Sequence, residues 1–514
     1  MNIKKILLST VVGLLGTILF GQSVRQKPNI IIILADDLGY GDVSAFNPES
    51  KLHTRFIDQM ASEGMMFTDA HTSSSVCTPT RYSILTGRYN WRSTLKNGVL
   101  SGFSKALIQP DRLTISSYLK DKGYFTGFIG KWHLGWDWAI SEDQGHLDNL
   151  SLRPKVDYSK PVKNGPESLG FEYSYGFSGS LDMPPYVFVE NSIPTAIPED
   201  TTVSVEDKGF WRKGLTAPDF DHTQVLPHIK DKAIAYIENN KDQSDPFFLY
   251  LALPAPHTPI LPTTEFLGRS NTNFYGDFVL QVDHFIGEIL DKLKESGIDQ
   301  NTMVIFTSDN GCSPKASFQE LARVGHDPSF IFRGHKADIY EGGHRVPFIV
   351  RWPAVVGKNQ QSTEVICTTD FLATIVDLFG EKLPDDAGED SYSFLPVLEG
   401  SAYQQPLREA TVHHSIAGRF AIRQGDWKLI LWPGSGGWSF PRTAGELEGL
   451  PAYQLYNLKE DLSEEYNLVG DYPDRVKAMR ALLADYVVRG RSTPGVIQQN
   501  DGGNSWEQLG WMED

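Results

Sequence analysis

The chain has 514 residues, with 47 lysines and arginines against 64 aspartates and glutamates, which gives a formal net charge of −17. A chain of this length is expected to form one large domain and a smaller one, because a single small core does not extend so far. The acidic balance argues against a nucleic-acid partner, which needs a basic face on the protein. It leaves an anionic substrate open, because a local positive pocket is enough to bind one.

The N-terminus has the pattern of an export signal. Lys4 and Lys5 precede an apolar run over residues 6–20, and small and polar residues follow at 21–23. The run is short for a membrane span. We therefore predict a signal peptide over residues 1–22, a periplasmic or secreted location, and a mature form without a membrane span. An uncleaved anchor is the alternative.

The three cysteines are too few for a disulfide framework in an exported chain. They are Cys77, Cys312 and Cys367. If Cys77 is chemically modified, a pair between Cys312 and Cys367 remains open.

Alternating apolar runs and amphipathic patterns predict an α/β domain over residues 28–400. Continuous apolar runs are typical of strands that are covered on both faces, as in parallel sheets. Such strands are predicted over residues 29–34, 124–129, 246–253, 303–306 and 346–351. Apolar residues at helical spacing predict helices over residues 53–62, 113–122, 223–240, 276–295 and 370–379.

Residues 136–220 are the least regular part of this domain, with many glycines, prolines, aspartates and serines. We predict a loop-rich insertion over the site, of the kind that shapes substrate choice. Asp182 lies within it. This residue either contacts substrate hydroxyls or is a solvated loop aspartate.

The pattern changes near residue 400. Short segments separated by turns predict an antiparallel sheet, at residues 411–414, 420–423, 427–432 and 456–458. A closing helix is predicted over residues 475–488. We therefore expect a smaller C-terminal α+β domain over residues 401–490, followed by a polar tail over 491–514 that packs back onto the body.

Polar side chains follow four of the buried strands. In chain order they are Asp36 and Asp37, then Lys131 and His133, then His257, and finally Asp309 and Asn310. Ligands of open α/β sheets bind outside the carboxyl ends of the strands. These residues can therefore meet in one cleft although they lie far apart in sequence.

One chemical set among these residues supplies only oxygen atoms. Asp36, Asp37, Asp309 and Asn310 suit Ca²⁺ or Mg²⁺, whereas zinc prefers histidine and cysteine. A bare pair of aspartates at a strand end is otherwise typical of a turn that caps a helix.

The other chemical set consists of hydrogen-bond donors and proton carriers. Arg81, Lys131, His133, His257 and Lys336 suit a tetrahedral oxyanion, and with a metal they can neutralise charge that develops during a displacement. Three of them also have plainer interpretations, since Lys131 and His133 fit a surface loop and His257 fits the role of a structural loop histidine.

The stretch from Ser75 to Gly87 is predicted to be a loop that turns into a helix. Cys77 precedes Pro79, which suits the first helical position. Free N–H groups and the helix dipole favour an anion beside Cys77, and Arg81 adds a fixed positive charge. A lone cysteine here would otherwise be a small buried hydrophobic residue.

Three stretches resemble the formylglycine-dependent sulfatases. Residues 75–87 contain Cys-x-Pro-x-Arg followed by an apolar pair and Thr-Gly, residues 123–133 end in Gly-Lys-x-His, and the glycine-rich segment 333–347 carries Lys336. The resemblance extends over about residues 28–490. It is strongest to the branch of arylsulfatase A and N-acetylgalactosamine-6-sulfatase, through Tyr275-Gly276-Asp277 with Asp283, Phe332 to Lys336 and the shared Trp427-Lys428-Leu429.

The resemblance implies an alkaline-phosphatase-like fold, with a large mixed β-sheet flanked by helices. It also implies that a maturation enzyme oxidises Cys77 to formylglycine, whose hydrate attacks sulfur and later expels the sulfate as the other hydroxyl loses its proton. One Ca²⁺ ion would be held by position 77 together with Asp36, Asp37, Asp309 and Asn310.

The remaining roles are implied by the same resemblance. Arg81 and Lys131 would hold position 77 and the sulfate, and His133 would assist proton removal. His257 and Lys336 would sit beside the leaving oxygen, with His257 as the expected acid.

With export, the resemblance implies a bacterial exo-acting enzyme that removes 6-O-sulfate from galactose or N-acetylgalactosamine units of a polysaccharide. One alternative is a phosphatase or phosphonate monoester hydrolase of the same superfamily; two zinc ions per chain would indicate the phosphatase. Another is a non-catalytic glycan-binding protein, which would be expected to lack Cys77, Lys131 or His257.

Overall fold

The computed structural model describes residues 27–140, 155–403 and 405–512. The predicted signal peptide lies outside the described residues. None of the helices in these ranges combines the length and the apolar character that a membrane span requires.

Strands and helices alternate along the chain, as the sequence predicts. The strands are β1 (Asn29–Asp36), β2 (Met65–Phe67), β3 (Ala70–His71), β4 (Phe125–Lys131), β5 (Tyr173–Phe177), β6 (Val189–Glu190), β7 (Ile193–Pro194), β8 (Asp200–Ser204), β9 (Trp211–Thr216), β10 (Phe247–Pro256), β11 (Thr302–Ser308), β12 (Phe348–Arg351), β13 (Gln360–Ser362), β14 (Ile366–Cys367), β15 (Thr411–His414), β16 (Phe420–Gln424), β17 (Trp427–Ile430) and β18 (Gln454–Asn457). The helices are α1 (Arg55–Ser62), α2 (Cys77–Thr86), α3 (Ile115–Asp121), α4 (Val225–Asn240), α5 (Phe274–Glu295), α6 (Phe318–Arg323), α7 (Glu341–His344), α8 (Phe371–Asp377), α9 (Leu395–Glu399), α10 (Ala444–Leu447) and α11 (Pro473–Val488).

A ten-stranded mixed sheet organises the larger part of the molecule, in the order β13-β2-β12-β11-β1-β10-β4-β5-β6-β7. The strands predicted from the apolar runs occupy its centre, where β11, β1, β10 and β4 are parallel neighbours. Ile32 of β1, for example, pairs with Tyr250 and Ile305. All three are fully buried. The large mixed sheet that the resemblance implies is confirmed.

Helices cover this sheet in two groups. Helix α5 contacts both α1 and α4, and all three contact the strands, whereas α2, α3 and α8 form a second group. Most of the predicted helix boundaries are accurate to one or two residues. Helix α3 begins after Thr114, whose side chain accepts a hydrogen bond from the N–H of Ser117, a favourable N-terminal cap.

Residues 136–220 contain more regular structure than predicted. Strand β5 adds to the large sheet beside β4, the hairpin β6–β7 extends the edge, and β8–β9 forms a separate two-stranded sheet. These strands are not predicted by the sequence pattern, although the segments between them are loops, as expected. The strands are short, and β5 reads Tyr-Ser-Tyr-Gly-Phe, which lacks the β-branched run that identifies the central strands.

The predicted C-terminal antiparallel sheet is confirmed. Strands β15 to β18 pair in order, and Met479 and Leu483 of α11 join the core of this sheet. The tail also packs back as expected, because Trp506 is only 5% exposed and its ring contacts Trp91 and Phe420. The domain boundary near residue 400 remains a prediction.

Candidate active site

The candidate active site lies where four neighbouring strands end. Asp36 closes β1, Lys131 closes β4, His257 follows β10, and Asp309 follows β11. These strands are adjacent and parallel, so their carboxyl ends share one edge of the sheet. The residues singled out at strand ends therefore lie side by side.

Cys77 occupies the first turn of α2. The helix begins at Cys77 itself, so Pro79 is its third residue and not its first. The prediction that Cys77 precedes the helix is therefore wrong, because the helix begins two residues earlier than predicted. Gly87 ends the helix with φ of 64°, a left-handed conformation that favours glycine. Cys77 is 2% exposed. Burial raises the pKa of its thiol.

Arg81 lies one turn after Cys77, on the same side of α2. Its Nε and Nη2 atoms donate to Asp309 Oδ2, over 3.0 and 2.7 Å. Its Nη1 atom donates to the carbonyl oxygen of Lys131 over 2.8 Å. The guanidinium group thus ties α2 to the ends of β4 and β11.

Lys131 and His257 share a serine that the sequence analysis did not assign to the site. Lys131 Nζ lies 2.6 Å from Asp36 Oδ2 and 3.2 Å from Ser180 Oγ. Ser180 Oγ lies 3.1 Å from His257 Nε2. A loop serine has no sequence signal of its own, and only the fold brings Ser180 between these two side chains.

Asp37 is the other shared group. Lys336 Nζ lies 2.6 Å from Asp37 Oδ1, and Asn310 Nδ2 donates to the same oxygen over 2.7 Å. His257 Nε2 lies 3.7 Å from Asp37 Oδ2. The loop of residues 333–347 therefore delivers Lys336 to the strand ends, as the resemblance to the sulfatases implied.

Two buried oxygen atoms in this cluster lack hydrogen-bond partners among the described residues. They are Asp36 Oδ1 and Asn310 Oδ1. Asp36 Oδ1 lies 3.8 Å from Arg81 Nη2, which is too far for a hydrogen bond. Buried acceptors are normally satisfied. Ligand atoms of Asp36, Asp37 and His257 lie within 4.8 Å of one another. An oxygen-rich set with free acceptors fits a hard divalent cation.

The charges around Asp36 favour its ionised form. Burial opposes ionisation, but Lys131, His257, Arg81 and Lys336 outweigh it and hold the pKa of Asp36 well below its ordinary value. Asp309 differs, because burial and the Asp36 carboxylate raise its pKa above its ordinary value. A bound cation would offset this repulsion between carboxylates.

His133 is fully buried and holds a left-handed backbone conformation, with φ of 54°. Its Nε2 atom lies 2.8 Å from the carbonyl oxygen of Leu100. A carbonyl only accepts, so Nε2 carries the proton. Burial and Lys131 lower the pKa of His133 well below its ordinary value, so the ring is neutral. Nδ1, which has no partner among the described residues, is a free proton acceptor.

His257 and Lys336 lie closest to the solvent. Their side chains are 10% and 7% exposed, whereas those of Lys131 and Arg81 are fully buried. Burial and Lys336 lower the pKa of His257. Burial disfavours the charge of Lys336, but Asp37 outweighs it and raises the pKa of Lys336 above its usual value.

Asp182 is not part of this cluster of paired side chains. It follows Ser180 by two residues, its carboxylate pairs with Arg212, and its carbonyl accepts from Arg212 and Tyr186. Asp182 is only 7% exposed, so the interpretation as a solvated loop aspartate is wrong. Its Oδ1 atom has no hydrogen-bond partner among the described residues.

The cysteines form no disulfide bond. Cys77, Cys312 and Cys367 are all buried free thiols. A pair between Cys312 and Cys367, which the sequence left open, is therefore absent.

Two family models match the chain. The model described as sulfatase matches residues 28–381. The model described as the C-terminal region of N-sulphoglucosamine sulphohydrolase matches residues 334–488.

Characterised relatives are similar over almost the whole chain. The N-acetylgalactosamine-6-O-sulfatase of Bacteroides thetaiotaomicron is 36% identical over 507 residues, which cover 91% of this chain and 94% of the relative. Human arylsulfatase A is 30% identical over 491 residues, covering 91% and 90%. A solved structure concerned with the metabolism of multiple glycosaminoglycans by Bacteroides thetaiotaomicron superposes with a TM-score of 0.78 and 33% identity, covering 90% of this chain and 99% of that one.

Proposed function

The chain belongs to the sulfatase family and hydrolyses sulfate esters, and we propose that it acts from the chain end of a polysaccharide on 6-O-sulfated galactose or N-acetylgalactosamine. Formylglycine at position 77 and one Ca²⁺ ion are part of this proposal. The strongest support for this reaction is that side chains with only oxygen ligands and cationic side chains lie together beside Cys77. The substrate is supported by the relative named N-acetylgalactosamine-6-O-sulfatase.

Modification of Cys77 is supported by its surroundings. A thiol acts as a nucleophile in its ionised form, and burial raises the pKa of this thiol. The unmodified side chain is therefore poorly suited to attack sulfur. A formylglycine hydrate at this position would supply a hydroxyl nucleophile, and Ca²⁺ would stabilise the charge on the sulfate oxygens. A maturation enzyme is then a required partner during biosynthesis.

The residues that would hold Ca²⁺ are Asp36, Asp37, Asp309 and Asn310, with position 77. The free oxygens of Asp36 and Asn310 support this assignment. All four side chains bind through oxygen, as calcium requires.

Arg81 and Lys131 would orient the sulfate and position 77. Both are fully buried cations, and each is held by a carboxylate at a strand end, Asp309 and Asp36 respectively. Fixed donors of this kind stabilise charge in the transition state without reorganising. His133 would accept a proton at Nδ1, the ring nitrogen that has no partner among the described residues.

His257 and Lys336 would act on the side of the leaving alcohol. Their position nearest the solvent supports this role, because the sugar must remain connected to its polysaccharide outside the buried cluster. His257 would donate the proton to the leaving oxygen. Asp182, two residues beyond Ser180, would bind a sugar hydroxyl through its carboxylate.

The decisive experiment is desulfation of saccharides that carry a single sulfate at the 6-, 4-, 3- or 2-position. We expect release from the 6-sulfated galactose and N-acetylgalactosamine compounds and little from the positional isomers. The Cys77→Ala variant is the matched control. Preferential cleavage of another isomer would overturn the substrate proposal and leave the family assignment intact. A faster rate on the matched phosphate ester would favour a phosphatase instead.

A further inference from the structure

A segment of the C-terminal region has no role in the chemistry above. Residues 434–440, which we call the aromatic loop, read Gly-Ser-Gly-Gly-Trp-Ser-Phe and lie between β17 and α10. The loop exposes two large aromatic side chains, Trp438 at 39% and Phe440 at 70%. Adjacent exposed aromatic residues on a protein surface mark binding sites more often than isolated ones do.

Hydrogen bonds attach the aromatic loop to the segment that carries Lys336. Asp338 is fully buried, and its Oδ1 atom accepts from the N–H groups of Trp438 and Ser439, over 2.7 and 3.0 Å. The N–H of Ile339 donates to the carbonyl oxygen of Ser435 over 2.8 Å. The loop is therefore fixed two residues away from a side chain of the candidate active site.

Close packing at Gly437 supports the same conclusion. A Cβ atom at this position would lie 2.4 Å from the carbonyl oxygen of Ala337 and 2.5 Å from Asp338 Oδ1, so only glycine fits. The N–H of Ala337 in turn donates to the carbonyl oxygen of Ser75 over 2.8 Å, two residues before Cys77. The aromatic loop, the Lys336 segment and the Cys77 segment thus form one continuous bonded unit.

A cleft of about 670 Å³ lies beside the aromatic loop. Phe440 and Ser439 line one part of it, and His335, Arg333 and Phe318 line others. His335 immediately precedes Lys336, so the lining of the cleft continues directly into the segment that carries this side chain of the candidate active site. Its volume falls in the range of ~300–1,000 Å³ that is usual for small-ligand sites.

The lining fits a sugar. Aromatic rings pack against the apolar C–H face of a pyranose, while Ser439, Arg333 and His335 offer polar groups for its hydroxyls. A protein partner is a poorer fit, because a stable interface buries roughly 800 Å² on each side, far more than two side chains and one cleft provide.

We propose that the aromatic loop and this cleft form a subsite for the sugar residue next to the sulfated one. The proposal rests on the proposed function, since it assigns the neighbouring part of the same polysaccharide. It makes the C-terminal region a determinant of chain-length preference: longer substrates would contact Phe440 and Trp438, and a monosaccharide would not reach them.

The test compares two substrates that share one sulfated residue. One is N-acetylgalactosamine 6-sulfate, and the other is a tetrasaccharide with this residue at its non-reducing end and no other sulfate. Loss of one aromatic contact corresponds to roughly tenfold in kcat/KM. We expect Phe440→Ala to lose about tenfold on the tetrasaccharide and less than about threefold on the monosaccharide, with Trp438→Ala in the same direction.

Two further variants serve as controls. Phe440→Tyr keeps the ring and should retain the preference of the wild type for the tetrasaccharide. Tyr466→Ala removes a side chain that is 69% exposed and does not line this cleft, so it should change neither rate. Thermal unfolding of each variant checks that the fold is intact.

Other outcomes overturn the subsite. An equal loss on both substrates would mean that the loop only supports Lys336, and unchanged rates would mean that it binds no sugar. A change in oligomeric state with an unchanged preference would identify a contact between copies of the chain. If the wild type cleaves no 6-sulfated sugar, the proposed function fails separately, and the comparison is repeated with the isomer that it does cleave.

Discussion

Two buried clusters of charged side chains share the segment 336–345, and they differ in how completely their polar atoms are paired. The candidate active site is one. The other, the C-terminal cluster, joins this segment and β3 to the small antiparallel sheet; it comprises His71, Glu341, His344, His413, Arg423, Lys428 and Glu464. All seven residues are at most 5% exposed.

The C-terminal cluster is more completely paired, although Glu464 Oε1 makes no hydrogen bond of good geometry. Lys428 Nζ lies 3.0 Å from Glu341 Oε1 and 2.9 Å from Glu464 Oε1, and 3.0 Å from His344 Nε2. Lys428 outweighs the effect of burial and holds the pKa of Glu341 well below its ordinary value. Buried charges of this kind are tolerated when they are paired.

The two clusters look alike if only proximity is considered. His71, His344 and His413 bring ring nitrogens within 4.8 Å of one another. The rings of His344 and His413, however, are stacked 4.0 Å apart and only 8° from parallel, so their nitrogens do not point at a common ion. His413 is also paired through both nitrogens, with Thr72 and Thr411.

The candidate active site has the opposite character, since Asp36 and Asn310 keep free acceptor oxygens. Glu464 Oε1 lies 2.9 Å from Lys428 Nζ, whereas Asp36 Oδ1 lies 3.8 Å from Arg81 Nη2. Acceptors without a close partner, and not buried charge as such, therefore distinguish a group that is built for a ligand from one that holds the fold together.

The largest expected effect is a loss of turnover on changing position 77, which belongs to the candidate active site and not to the C-terminal cluster. Cys77→Ala should lower turnover by at least ~10⁴-fold, because removal of a nucleophile has costs of this order, and should leave the fold intact. The peptide that holds position 77 in active wild-type protein should be lighter than its cysteine form by about 18 Da, as thiol-to-aldehyde conversion requires. Cys367→Ala, at another buried thiol, is the matched control. Full activity with an unmodified thiol would contradict formylglycine.

Removal of the metal should come next. Chelation is expected to lower turnover by about 10³-fold or more, since a cation contributes several kcal/mol to stabilising the transition state. Calcium should restore activity best and should raise the melting temperature, because a ligand that binds only the folded state stabilises it. Restoration by zinc alone would contradict the oxygen-only site and would indicate that histidines bind the metal.

His257→Ala should have a smaller effect that depends on the substrate. A sugar hydroxyl is a poor leaving group and needs a proton, whereas nitrophenolate departs with little help. We expect a loss of about 10²-fold on a sulfated sugar, a usual contribution of proton transfer, and a much smaller loss on nitrophenyl sulfate. Lys131→Ala should impair both substrates similarly, because the role proposed for Lys131 is to bind the sulfate that both substrates share. Equal losses for His257→Ala would shift the acid role to Lys336 or His133.

The sequence was sufficient to predict the centre of the fold and most of the candidate site. Continuous apolar runs identified the central strands, and the polar residues that follow them gave Asp36, Lys131, His257 and Asp309. These signals are local, since each strand and its terminal motif are contiguous in the chain. Parallel pairing then brings the motifs together.

The remainder depends on contacts that are distant in the chain. Ser180 is an ordinary loop residue until the fold brings it within 3.2 Å of Lys131. The C-terminal cluster joins residues more than 300 positions apart, such as His71 and Arg423. Histidines and lysines in short strands carry no pattern that predicts burial, so this cluster could not be predicted from the sequence.

The smallest expected effect on turnover belongs to the C-terminal cluster, and it is paired with a large effect on stability. Lys428→Met removes the cation that faces Glu341 and Glu464 and leaves two buried carboxylates without it. We expect the free energy of unfolding to fall by about 3–5 kcal/mol, which is usual for a broken buried pair. Among the described residues, the Lys428 ammonium group pairs with Glu341, Glu464 and His344 and with no side chain of the candidate active site. Folded enzyme should therefore keep its turnover on nitrophenyl sulfate within about threefold.

A second substitution sharpens this last comparison. Adding Glu464→Gln to Lys428→Met removes one of the two uncompensated charges, so denaturant unfolding should show part of the lost stability restored. The same addition should not alter turnover measured well below the melting temperature. A large loss of turnover in folded Lys428→Met, unrelieved by Glu464→Gln, would show that the cluster reaches the chemistry through Glu341 and the shared segment. The distinction between a paired structural cluster and an open catalytic one would then fail. Charge in the C-terminal cluster would be controlling the position of Lys336 through the shared segment 336–345.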